Sequence, residues 1–197
     1  LQSVVNAYWR NHDHHKTDYL PIVLVNDVVR YWRIVLLNYE AKHSRKAREA
    51  KTPKDELDRN KRFDSYKLRF ARCMTCYSMI AALLWESQND PSGISHVSGE
   101  TMLSLIEMSP VQRLQLILNT AANNHKAEIV NLVTDLLGHY RTYLESRMTP
   151  DIQLKALLDE DRSNGSLFKQ ADRFGETMFK LVQALGQNSP LIRYVVV

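Results

Sequence analysis

Apolar positions recur every three or four residues along most of this chain, and the longest such stretch is DYLPIVLVNDVVRYWRIVLLNYEAK, running from Asp18 to Lys42. Ile22, Val25, Val28, Val29, Trp32, Val35, Leu36 and Tyr39 fall on one wide helical stripe. Pro21 can open that helix at a position where its missing N–H is harmless, and no breaker follows until Thr52-Pro53. The pattern predicts a helix to about Ala50, roughly 45 Å long, largely buried, with the rest of the chain arranged around it.

Three more long helices follow from the same spacing. Phe63 to Glu86 carries Tyr66, Phe70, Cys73, Tyr77 and Ile80 on one stripe, widened by Leu68, Met74, Leu83 and Leu84, and the turn cluster Asn89-Asp90-Pro91-Ser92-Gly93 ends it. Arg69, Arg72 and Cys76 lie on another side. Ala127 to Arg147 turns Ile129, Leu132, Val133, Leu136, Leu137, Tyr140 and Leu144 inward, and Thr149-Pro150 stops it. Leu167 to Leu185 buries Phe168, Ala171, Phe174, Met178, Leu181 and Val182, with Gly186 as its C-cap. The first two helices are expected antiparallel, with Trp32 and Leu36 against Phe70 and Tyr77.

Shorter helices are predicted over Ser3 to Trp9, from Ser98-Gly99-Glu100 to about Met108, from Val111 to about Ala121 behind the Ser109-Pro110 start signal, and over Asp151 to Leu158. Asp159 to Ser166 reads as a polar loop. The terminal LIRYVVV has no partner strand in view and reads as a tail. The fold class is therefore all-α, a helical bundle of four long and several short helices. Residues 1–20 form a short helix and polar loop, 21–188 the bundle, and 189–197 the C-terminal tail.

Among 197 residues, 44% are hydrophobic and 24% charged, ordinary values for a globular chain, which set aside disorder and fibrous repeats. No apolar run reaches the ~18 residues of a membrane span, and the N-terminal LQSVVNAYWRNHDHH lacks a secretory pattern, so no membrane partner and a cytoplasmic location are expected. The net charge is +4, but its distribution matters more than its size. Between Lys42 and Arg72 twelve basic residues stand against five acidic ones, so the rest of the chain is slightly acidic. Such a field favours a phosphate-bearing partner, while a solvated connector explains Lys42 to Arg62 equally well.

Within the first long helix Asn26, Arg30 and Arg33 share a face, and Asp27 stands three residues before Arg30. Amide and guanidinium groups on a mostly apolar helix need carboxylates, carbonyls or an anionic ligand. An internal Asp27–Arg30 pair with Arg33 reaching solvent is the plainer account. Cys73 and Cys76 form a CxxC, but no second CxxC or spaced His pair follows, so they read as reduced core thiols. His12, His14 and His15 around Asp13 are too close for a rigid metal site. Asp159-Glu160-Asp161 sits in a loop and reads as solvated charge. No Gly-rich phosphate loop, Gly-Ser turn or Ser-His-Asp set is present, so no catalytic residue and no resident cofactor or metal is assigned to this chain.

The block LPIVLVNDVVRYWRIVLLNYEAK, followed after a charged gap by SYKLRFARCMTCYSMIAALL, resembles the helical C-terminal region of bacterial nucleotidyltransferase-like proteins of the DNA polymerase β superfamily. The likeness extends more weakly through SLIEMSPVQRLQLIL and the last two long helices. The resemblance implies a nucleotide-binding helical domain that closes over a substrate bound by an upstream α/β domain. In that picture the upstream domain does the chemistry with Mg²⁺ and a nucleoside triphosphate, and the chain, which begins at Leu1 without that domain, is a C-terminal piece of a larger protein. Carried over by position, the nucleotide- or phosphate-binding residues are Asn26, Asp27, Arg30, Arg33, Lys67, Arg69 and Arg72. Two other readings stay open. One is a helical interaction module of a toxin–antitoxin or defence system, whose basic face binds RNA or a partner protein. The other rests on Arg10-Asn11 with His15 five positions after the Arg, which resembles the Arg-polar-x-x-x-His motif of HEPN ribonucleases.

Overall fold

The computed structural model describes residues 2–8, 21–48, 53–88, 97–161, 165–187, 189 and 191–195. In chain order the helices are α1 (Gln2–Tyr8), α2 (Ile22–Arg48), α3 (Lys54–Lys67), a π-helical turn (Leu68–Arg72), α4 (Cys73–Glu86), α5 (Gly99–Glu107), α6 (Pro110–Asn123), α7 (Ala127–Arg147), α8 (Asp151–Asp161), α9 (Ser166–Gly186) and α10 (Ile192–Val195). Among the described residues there is no strand, and the protein is an all-α helical bundle.

The centre of the bundle is α4. Met74, Ala81, Ala82, Leu83 and Leu84 are fully buried around its whole circumference, which places it inside a ring formed by α2, α5, α6 and α9. Each fully buried Leu or Ile there contributes about 1.5–3 kcal/mol from leaving water. A helix apolar on every side packs on several neighbours; one with a single stripe packs on one. The expectation that the chain is arranged around Asp18 to Lys42 is therefore corrected. Of α2 only Leu24, Val25 and His43 are buried, and Val23, Tyr31, Ile34, Leu36 and Leu37 are exposed. This helix of 27 residues lies along one edge of the bundle, against α3, α4 and α10, and has apolar residues on its outer side too.

The antiparallel packing of α2 is as expected. Trp32 meets the edge of Tyr77 at 5.7 Å, Tyr39 donates its hydroxyl to the Lys61 carbonyl at 3.1 Å, and Lys42 reaches Asp64. Leu36, however, stays at the rim. Phe70 belongs to a different set of rings: it stacks on Tyr143 at 4.6 Å and lies 4.9 Å from Phe174, with Tyr66 and Phe168 completing the cluster.

The second long helix starts nine residues earlier than its apolar stripe, at Lys54. Pro53 sits at its N-cap, and Asp55 and Glu56 in its first turn complement the helix dipole. Its charged half is anchored rather than solvated: Arg59 and Arg62 both pair with Asp159 of α8. That contact also corrects the reading of Asp159 to Asp161 as solvated charge. Asp161 in turn accepts from the backbone N–H groups of Ser166 at 2.7 Å and Leu167 at 2.8 Å, capping α9. Gly165 makes this possible, because a Cβ there would lie 1.9 Å from the Asp161 carboxylate.

Ser98 and Ser109 cap α5 and α6 as their sequences predict, Ser109 within a full capping box with Gln112. Arg113, 8% exposed, donates to the Leu105 carbonyl at 2.7 Å and so places a cation at the C-terminal end of α5. The expected terminal tail is packed instead. Leu191 is fully buried, the Ser189 hydroxyl meets that of Ser87 at 2.8 Å, and α10 lies against α2.

Candidate functional site

The π turn is the local feature that shapes the site. The Cys73 N–H bonds back to the Leu68 carbonyl, five residues away, where an α-helix would bond back four. A π turn holds more residues per revolution, so side chains three apart no longer lie above one another. Arg69 and Arg72, expected on one side, are thereby separated. Arg69 turns to Asp172 of α9 and stands 5.7 Å from the Phe168 ring. Arg72 turns toward α2.

Between α2 and the α3–π rod, with the end of α7 behind, lies an open cleft of about 520 Å³. Val35, Tyr39, Leu68, Ala71 and Tyr143 form its apolar wall, and Asn38, Asp64 and the cations Lys42, Lys67, Arg72 and Arg147 its polar one. One carboxylate thus faces four positive side chains. Asp64 accepts from Lys42 Nζ at 2.5 Å, pairs with Lys67 Nζ at 3.3 Å, and lies 3.5 Å from His43 Nε2. Burial works against the ionised form of Asp64, but the hydrogen bonds and charges of Lys42 and Lys67 outweigh it and hold its carboxyl below the usual carboxylate range. Arg147 reaches Asp151 at 2.8 Å and packs over Phe63. Arg72 is exposed, and among the described residues it has no carboxylate within ion-pair distance.

His43 lies outside the cleft but next to two residues that line it, Tyr39 and Asp64. It is buried, edge-on to Tyr39 at 4.6 Å, and its Nε2 makes no hydrogen bond among the described residues despite the nearness of Asp64. Burial pushes its pKa down, with Lys42, Lys46 and Lys61 adding to that effect and Asp64 opposing it. The imidazole is neutral at pH 7.

Of the residues singled out from sequence, Lys67 and Arg72 line the cleft and the others do not. Asp27 is half-buried at the far end of α2, where it accepts from Tyr8 of α1 at 2.8 Å and from Arg30 at 3.4 Å. Asn26 is half-buried near it, and Arg30 and Arg33 are exposed outside the cleft. Arg30 and Arg33 therefore do not face Lys67, Arg69 and Arg72 across a groove, because α2 turns those arginines away from α3. Lys42, Asp64 and Arg147 were missed as site residues. Lys42 ends the first quoted block, but only the antiparallel register brings it to Asp64. Arg10 and His15 lie outside the described residues.

Cys73 and Cys76 are free and buried, and burial pushes their thiols up to about 12 and about 11, so neither is a nucleophile or a ready metal ligand. Among the described residues no group of three His, Cys, Asp or Glu side chains is placed to hold a metal ion. Among the described residues no helix is long and apolar enough to cross a membrane. What the cleft can do chemically is hold an anion. Guanidinium forks and ammonium points converge on one space, beside an apolar wall that suits a sugar or base. Compared with known protein families, with curated proteins and with solved structures, the chain matches none of them.

Proposed function

We propose that the chain is a helical ligand-binding domain whose cleft between α2 and the α3–π rod takes the phosphates of a nucleotide. The observation that carries this reading is the convergence of Lys42, Lys67, Arg72 and Arg147 on a space shared with a single carboxylate, Asp64. Like charges are not gathered at a partly buried wall without a counter-anion; Asp64 is shared by Lys42 and Lys67 and Asp151 pairs with Arg147, which leaves Arg72 for a ligand anion. The π turn adds support, since such turns are frequent at functional sites, and Arg72, its last residue, lines the cleft. The resemblance of the α2 and π-turn blocks to nucleotidyltransferase-like proteins suggests a nucleoside triphosphate, with Mg²⁺ and catalysis supplied by a separate α/β domain. The chain itself binds and orients the ligand and is assigned no bond-making step.

Calorimetric titration of ATP into the intact protein tests the reading. Binding should weaken as salt rises, and Arg72→Ala should weaken it by about 1–3 kcal/mol. Equal affinity in the two proteins, or none in either, would remove the nucleotide reading.

A further inference from the structure

His43 is tied to the cleft through one oxygen atom. Asp64 Oδ2 lies 2.5 Å from Lys42 Nζ and 3.5 Å from His43 Nε2, while Lys67 Nζ pairs with Oδ1 at 3.3 Å. Lys42 and His43 thus stand at the same acceptor, and only Lys42 holds it. The imidazole is farther off than the about 2.9 Å of a formed N–H···O bond, and its Nε2 is buried with no hydrogen-bond partner among the described residues. Such an atom has lost its water and gained nothing in return.

The three side chains differ in freedom. That of Lys42 is 46% exposed, that of Asp64 17% and that of His43 7%. Lys42 also lines the cleft, so its ammonium can turn from Asp64 to a phosphate by rotating about its own side-chain bonds, and a multiply charged phosphate attracts it more than one carboxylate does. His43 has no such latitude, being held edge-on against Tyr39. Once Lys42 leaves, a mostly buried carboxylate keeps only Lys67, and a second cation at Oδ2 is favoured. The charges around His43 act in the same direction. Lys42, Lys46 and Glu40 stand near it on α2, Lys61 and Asp64 face it from α3, and Lys54 and Asp58 of α3 line a cavity of about 540 Å³ with it. In the free protein burial and the lysines keep the imidazole neutral against the pull of Asp64. A phosphate on Lys42 weakens that opposition.

We infer that His43 is a positioning residue of the phosphate site: when the ligand draws Lys42 away from Asp64, the imidazole takes a proton from solvent and donates Nε2–H to the freed Oδ2, so nucleotide binding carries a proton into the protein. The inference rests on the nucleotide reading of the cleft. By linkage the same coupling makes binding tighten as the pH falls toward the range where His43 titrates.

The test follows the His43 imidazole resonances of the isotope-labelled full chain through a pH titration, with and without saturating ATP. The His43 pKa should rise when ATP is bound, and by less than about half as much in Asp64→Asn, which offers no second negative oxygen to claim the proton. The ligand's own titration is common to both proteins and cancels in the comparison. Should Asp64→Asn fail to fold, His43→Gln decides: the ratio of ATP affinity at pH 6 to that at pH 8 should be roughly twofold or more higher in the parent protein than in this variant. ATP-dependent shifts at Arg72 with the His43 pKa unmoved, lowered, or raised equally in Asp64→Asn would overturn the inference and leave the cleft reading standing, as would equal affinity ratios in the parent and His43→Gln. Absence of any ATP-dependent shift would overturn both.

Discussion

Asp64 sets how much of the cleft's positive charge a ligand meets. It holds Lys42 and Lys67 in place and cancels one of their charges. Asp64→Asn should therefore bind triphosphate more tightly, by about 1 kcal/mol, while Lys42 and Lys67 lose their shared partner and the fold loses about as much. The folded-state pKa of Asp64 is depressed, so its stabilisation is complete above the ordinary carboxylate value of about 3.9 and is lost as pH falls below it. Urea midpoints at pH 7 and pH 3 should accordingly fall less on acidification in Asp64→Asn than in the parent protein. His43 has a depressed pKa of a different origin. Its unfolded form takes up a proton first as pH drops through about 6.5, so native stability should decline there, and His43→Gln should flatten that part of the curve. Asp64 itself could not be picked out from sequence. It is one of five acids in a basic segment, and its role arises from Lys42 of α2, 22 residues away in sequence, joining Lys67 on its own helix.

At the scale of elements, spacing and start signals carried most of the information, and they failed where tertiary contact decides. The Ser109 capping box and the stripe of α9 are local, and both stand where the sequence places them. The charged half of α3 has no apolar stripe, and it is anchored by Asp159 across the bundle and by Tyr39 of α2, contacts that local spacing does not show. Nor does the LRFAR stretch announce a π turn, so Arg69 and Arg72 look co-facial in sequence and diverge in the fold. The α8–α9 junction yields a sharp expectation. Asp161→Ala should destabilise by about 1 kcal/mol, the worth of an N-cap, and Gly165→Ala should also destabilise because its Cβ collides with the Asp161 carboxylate. Thermal melts of the two variants check this, and an unchanged midpoint in both would contradict it. Trp32 is half-buried against Tyr77, so Trp32→Ala should cost only about half of the ~3–5 kcal/mol typical of a fully buried aromatic residue.

At the scale of the whole molecule, the all-α class followed from the spacing of apolar residues, but which helix lies innermost did not. The apolar pattern of α2 is the longest in the chain, yet length says nothing of how many sides are covered. The run CMTCYSMIAALLW has almost no polar face, and that is the property that puts α4 at the centre. With α4 inside and α2 on an edge, a cleft opens between α2 and the α3–π rod. The measurement that tests the cleft most directly is a titration of the isotope-labelled protein with ATP, followed by amide and arginine side-chain NMR shifts. Shifts should gather at Asn38 to Lys42, Asp64 to Arg72 and Tyr143 to Arg147, and shrink together in Arg72→Ala and at higher salt. Saturating shifts confined to other helices, or none at millimolar ATP, would contradict the assignment of the cleft as a phosphate site.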